Sequence, residues 1–289
     1  MNNLIAVDHQ RQYEQWLGRF QPGQLEAYGN SLQPDLIKDG QLDHVTNSMI
    51  FAERDATWDT TAFGRAGRLP VRVFCLDESE QVELIQPSEI MCQDMPIKFP
   101  ETDVRLPRAL FGIHNLVKEV ISIDAALFER YDQDFAYLSF VQSQVRAGEI
   151  QRFSGCHVDG FQGPRLKPKL PIYRTYIITS SDSACYYPHE FQVANLDDQK
   201  DDFNAFFTAK ADPEQAFVAQ DMAAYLINAY CVHEALPAKV TGSRSFLRIS
   251  FSRRIYDRLG NTVNPMFDYD WDYKLRGQRQ RLHQGESNG

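Results

Sequence analysis

Between residues 135 and 254 the chain carries six segments rich in β-branched and aromatic residues, with turn residues between them, and few folds accept so much consecutive strand. They are FAYLSFVQSQV (135–145), IQRFSGCHVD (150–159), IYRTYIITS (172–180), ACYYPHEFQVA (184–194), AAYLINAYCVHEA (223–235) and SRSFLRISFSRR (243–254). Such side chains suit a pleated, half-buried surface. Six strands in 120 residues with little helix among them predict a β-sandwich or jelly roll.

The flanking sequence is more mixed. PVRVFCLD (70–77) and QVELIQ (81–86) read as strands joined through an acidic turn. From Pro107 to Tyr131 the apolar positions Leu110, Phe111, Ile113, Leu116, Val117, Val120 and Ile121 form a broad helical face. Asp124 is placed to cap a second turn, and His114 reads as a packed or surface histidine. Residues 8–20 read as a short amphipathic helix capped by Asp8, with Tyr13, Trp16, Leu17 and Phe20 at helical spacing. The expected architecture is α+β, mainly β, in a single domain over 1–275. A helical and mixed part (1–134) precedes the strand core (135–255) and an extension (256–275). RGQRQRLHQGESNG (276–289) has the composition of a disordered tail.

Composition narrows the partners. A net charge of −9 disfavours a polyanion, so nucleic acid is not expected. No apolar run reaches the roughly 18–20 residues that span a bilayer, and the N-terminus lacks the pattern of a signal peptide. No membrane partner is expected, and a cytoplasmic location is. The five cysteines are scattered without a CxxC pair, which argues against a disulfide framework or a zinc finger.

The chemistry concentrates in CHVDG. On a strand, residues two apart share a face, so His157 and Asp159 would project together. His233 ends the apolar run AYLINAYCV, 74 positions after Asp159. Two imidazoles and one carboxylate on one face of a metal leave positions open, the arrangement used by non-haem iron(II) oxygenases. Arg244 follows His233 by eleven residues, and Arg248 shares its strand face. A buried arginine there needs an anionic partner, and its planar fork suits a carboxylate.

This pattern, HxD, a distant histidine and a downstream arginine set in consecutive strands, resembles the iron(II)- and 2-oxoglutarate-dependent oxygenase superfamily. The resemblance covers roughly residues 135–255. It implies a double-stranded β-helix core of cupin-like type with N-terminal helices packed on it. It also implies Fe(II) held by His157, Asp159 and His233, with 2-oxoglutarate and O2 as cosubstrates and ascorbate as an in vitro reductant. Arg244 would bind the far carboxylate of 2-oxoglutarate, aided by Tyr173, with Tyr176 and Thr175 as substitutes if the register differs. An Arg-x-Ser pattern used by some members fits Arg248 and Ser250 better. Spacing favours Arg244, which leaves Arg248 for the substrate or for shared anion binding. The implied reaction hydroxylates, or otherwise oxidises, an unactivated C–H bond of a small molecule, releasing succinate and CO2. Asp159 in the HxD disfavours halogenation, whose practitioners carry a small residue there.

Two other readings compete. A mononuclear zinc hydrolase explains the metal ligands but not the arginines, and a cupin-type binding protein would have no 2-oxoglutarate dependence. FGRAG (63–67) lacks the Lys-Ser/Thr of a phosphate loop and reads as a turn or a mobile substrate loop. Cys156 and Cys231 read as core, and His189 as a turn residue. MFDYDWDY (266–273) reads as a cover for the barrel mouth or an oligomer contact.

Overall fold

The computed structural model describes residues 37–38, 41–42, 63, 70–87, 91–128, 131–159, 174–197 and 200–274. The helix expected over 8–20, the tail 276–289, most of FGRAG and the candidate Tyr173 lie outside the described residues.

Strands β1 (Ile37–Lys38) and β2 (Gln41–Leu42) form a small hairpin. Next come β3 (Val71–Cys75), α1 (Glu78–Ile85), β4 (Cys92–Lys98), a 3-10 turn (Arg108–Ile113) and α2 (His114–Leu127). The strand-rich half holds β5 (Phe135–Val145), β6 (Arg174–Thr179), β7 (Cys185–Tyr186), α3 (Phe203–Lys210) and β8 (Phe217–Val218). It closes with β9 (Ala223–Ile227), β10 (His233–Glu234) and β11 (Gly242–Ser252).

Six strands build one antiparallel sheet in the order β3-β9-β6-β11-β5-β4, and three build a second in the order β10-β7-β8. The large sheet contributes apolar side chains to the core from both faces. Leu116, Val117 and Val120 of α2 join Leu247, Ile249 and Phe251 in the main core, as do Tyr186 and Phe217 of the small sheet. Tyr186 and Phe217 meet Tyr225 of the large sheet with ring centroids 6.5 and 5.7 Å apart. The molecule is thus mixed α/β, dominated by antiparallel strands. Among the described residues no helix is long and apolar enough to cross a membrane.

Alternation along β6 and β11 sorts charge between the two faces. On the helix side, Arg174 bonds Asp124 at 2.6 Å and Asp134 at 2.7 Å, between the rings of Phe128 and Phe251. Asp124 therefore does not cap anything: it lies inside α2, fully buried, and also accepts from Tyr176 at 3.0 Å.

Several segments depart from the sequence expectation. Residues 81–85 of the QVELIQ segment are helical because Asp77 and Glu80 form a capping box, the Asp77 carboxylate accepting from the Glu80 amide and Glu80 accepting from the Asp77 amide. Residues 150–159 make no strand. His157 forms one isolated bridge to His233, while the amide of Cys156 is taken by the Thr208 hydroxyl of α3 at 2.9 Å. Only Cys185 and Tyr186 of 184–194 pair as a strand. Helix α3, begun by the Asp202 side chain accepting from Ala205, was not expected at all. No residue of the 266–273 segment lines the pocket that His157 and His233 border; Phe267, Tyr269 and Trp271 pack around Phe99.

Candidate metal and anion site

His157 and His233 face each other across a reciprocal backbone pair, the His157 amide donating to the His233 carbonyl at 2.8 Å and the reverse bond spanning 2.9 Å. Their ring centroids stand 4.5 Å apart. His233 is fixed by β10, in register with Tyr186 of β7. His157 is fixed by the turn before it. Gly155 adopts φ +79°, which a side chain would resist, and α3 holds that turn through Thr208.

Each imidazole meets the carbonyl two residues back through Nδ1, His157 to Gly155 at 3.0 Å and His233 to Cys231 at 2.9 Å. A carbonyl can only accept, so Nδ1 carries a proton, and in the neutral ring the lone pair is on Nε2. This is the tautomer a metal requires of a histidine bound through Nε2, with the outer bond orienting the ring. Burial, and then the neighbouring His157, push the His233 pKa down to about 4, which keeps that ring neutral.

Asp159 is buried beside them. One carboxylate oxygen, Oδ1, accepts from Arg248 at 3.2 Å, while Oδ2 is buried with no hydrogen-bond partner. Burial raises this carboxyl, but Arg248, His233, His157 and Arg152 more than offset it, and the group ionises below its ordinary range. With Asp159 turned onto Arg248, no group of three His, Cys, Asp or Glu side chains among the described residues converges to hold a metal as placed. The donor chemistry nonetheless fits a divalent metal: two histidines and a carboxylate with one orphaned oxygen border one pocket.

That pocket is lined by His157, Asp159, His233, Arg152, Arg244 and Arg248, with Ile177, Ala184 and Phe246 among its apolar walls. The two β11 arginines differ sharply. Arg248 donates to Asp94 at 2.7 Å as well as to Asp159. Burial would lower its pKa, yet the two carboxylates raise it and keep it firmly charged. Arg244 is 2% exposed and meets only carbonyls, Asp182 at 2.5 Å and Leu236 at 3.4 Å, while its Nε has no partner. Among the described residues it has no carboxylate within ion-pair distance, and burial lowers its pKa.

The structure brings His157, Asp159, His233, Arg244 and Arg248 together. It does not bring the other cosubstrate candidates: Tyr176 lies on the α2 face bonded to Asp124, and Ser250 and Thr175 bond each other at 3.0 Å inside the sheet. Ser250 does not line the pocket, so the Arg-x-Ser pattern has no counterpart there. His189 is spent on surface contacts, accepting from the Asp212 amide through Nε2. Cys156 and Cys231 are buried, as expected of core residues.

Sequence reasoning missed Arg152 and Asp94. Arg152 lies in an irregular loop, where no periodicity points a side chain anywhere. Its guanidinium stands 4.5 Å over the Phe246 ring, and burial and then Arg248 push its pKa down to about 10. Asp94 sits at φ +44° in a bulged stretch of β4, a conformation nothing in CQDMPIK announces.

No protein-family model matches this chain, and no curated protein is a significant match.

Proposed function

We propose that this protein is an iron(II)- and 2-oxoglutarate-dependent oxygenase with a jelly-roll type of core, oxidising an unactivated C–H bond of a small molecule. The observation that carries the reading is the meeting, in one pocket, of two Nε2-presenting histidines and a half-satisfied carboxylate with a buried arginine lacking a carboxylate partner. The opposed antiparallel sheets support the core assignment.

In this reading His157, His233 and Asp159 hold the metal, with Asp159 contributing the oxygen that now lacks a partner. Bound iron(II), with 2-oxoglutarate and O2, would supply C–H oxidation with release of succinate and CO2. Arg244 takes the far carboxylate of 2-oxoglutarate, a charge-assisted contact that satisfies a guanidinium otherwise costly to bury. Arg248 orients Asp159 and is itself anchored by Asp94. Ile177 and Phe246 keep the pocket wall dry, which strengthens every charge interaction inside it.

Anaerobic titration tests this directly. Protein with iron(II) and 2-oxoglutarate should develop a weak visible charge-transfer band, which zinc cannot give. Hydrolysis supported by zinc without oxygen would establish the hydrolase instead, and an absence of metal binding would leave a cupin-type binding protein.

A further inference from the structure

The pocket holds more positive charge than one cosubstrate needs. Arg248 and Arg258 both donate to Asp94, and Arg248 also to Asp159, so these two cations and two carboxylates balance among themselves. In the reading above, a divalent metal and doubly charged 2-oxoglutarate also balance. Arg244 and Arg152 remain, and both line the pocket together with Phe246.

Arg152 has no carboxylate within ion-pair distance among the described residues. Its recorded contact is the Phe246 ring, which supports the face of the guanidinium and leaves its edge free to donate. The loop that carries it is tied down. Gln151 donates to the Ser143 hydroxyl at 2.8 Å and to the Arg244 carbonyl at 2.9 Å, which locks Arg152 beside the strand bearing Arg244. Burial and the neighbouring Arg248 and Arg244 disfavour the charge of this guanidinium, Asp159 and Asp94 only partly offset them, and a bound anion would stabilise it.

We propose that the pocket receives two anions at once: 2-oxoglutarate on Arg244, and on Arg152 a carboxylate carried by the primary substrate. The substrate class is therefore a small carboxylic acid. This inference rests on the oxygenase reading for the identity of the first anion only.

The test is succinate release by the iron(II)-loaded protein with 2-oxoglutarate, challenged with a panel of α-amino acids and aliphatic carboxylic acids and with their primary amides. At least one acid should stimulate release, and its neutral amide should not. In Arg152→Met, which keeps the apolar contact with Phe246, the acid needed for half-maximal stimulation should rise about tenfold or more. The 2-oxoglutarate requirement should stay unchanged. Arg152→Lys should recover part of the acid response, since the charge returns without the fork. Equal stimulation by acid and amide overturns the proposal, as does a panel without any stimulating acid. A raised 2-oxoglutarate requirement in Arg152→Met overturns it too, by moving Arg152 to the cosubstrate. Should the charge-transfer band never appear, the oxygenase reading fails separately. Calorimetric binding of the same acids to metal-free wild type and Arg152→Met then decides whether Arg152 is an anion receptor.

Discussion

Nη2 of Arg248 stands 2.7 Å from Oδ1 of Asp94, a residue held at φ +44° by the bulge in β4. Ser139 closes the same corner, donating its hydroxyl to Asp94 Oδ1 and accepting from the Asp94 amide. The pair joins a strand edge to the candidate metal ligand, because the other arm of Arg248 reaches Asp159.

Removing that anchor should be costly. Asp94→Ala leaves Arg248 and Arg258 short of a buried counter-charge, and breaking such a pair costs about 3–5 kcal/mol. Chemical denaturation should register a loss of that order, and a loss under 1 kcal/mol would show that Asp94 anchors nothing. Its pH dependence has a definite sign. Burial raises the Asp94 carboxyl, Arg248 and Arg258 outweigh it, and the folded pKa falls below the ordinary 3.8. A depressed carboxyl contributes stability that is complete above its unfolded pKa and is lost as pH falls through its folded one. Below about pH 4 the wild type should therefore lose stability more steeply than Asp94→Asn.

The arginines of β11 should separate in a 2-oxoglutarate titration followed by calorimetry. Arg244→Met removes a charge-assisted contact in a desolvated site, worth on the order of 2–5 kcal/mol, or roughly 30- to 5,000-fold in affinity. Arg248→Met should chiefly lower stability, because it takes the hydrogen-bond donor from Asp159 and leaves Asp94 with Arg258 alone. The reverse pattern would transfer the cosubstrate role to Arg248.

Each ligand variant, His157→Ala, Asp159→Ala and His233→Ala, should abolish manganese(II) binding measured by paramagnetic relaxation of water. Their folds should survive, since the backbone pair between 157 and 233 does not depend on the rings. Undiminished binding in any one of them would remove that residue from the set.

Gly155→Ala tests the turn that aims His157. A side chain at φ +79° costs about 1–2 kcal/mol, and the new Cβ would stand 3.2 Å from the Thr208 hydroxyl. Thermal unfolding should shift down, and metal affinity should fall roughly 10-fold or more through the carbonyl that orients the ring. An unchanged affinity would show that the Gly155 carbonyl does not position His157.

Legibility in the sequence followed the regularity of hydrogen bonding. Strands β5 and β11 fall within two residues of their expected bounds, because both are long, paired on two sides and alternate cleanly. From that alternation the shared face of Arg244 and Arg248 followed. The 150–159 segment resisted because the Cys156 amide is spent on a distant helix, a partner no local pattern names. The candidate ligands still came together, since order and spacing along the chain constrain them more than the state of the backbone between them. Asp94 and Arg152 stayed hidden for a related reason: one owes its role to a bulge and the other to an irregular loop.

The sorting of charge across β6 and β11 bears on which length changes this chain can tolerate. In a strand, a single inserted or deleted residue turns every following side chain to the opposite face. Within β11 it would drive Arg244 and Arg248 toward α2, where Asp124 and Asp134 already hold Arg174, and would bring Leu247 and Ile249 into the polar pocket. Within β6 it would expel Arg174 from those same carboxylates. Natural variation in length should therefore be absent from 174–179 and 242–252 and collect in the connecting segments, such as the one that holds 194–197, whose side chains are mostly at the surface.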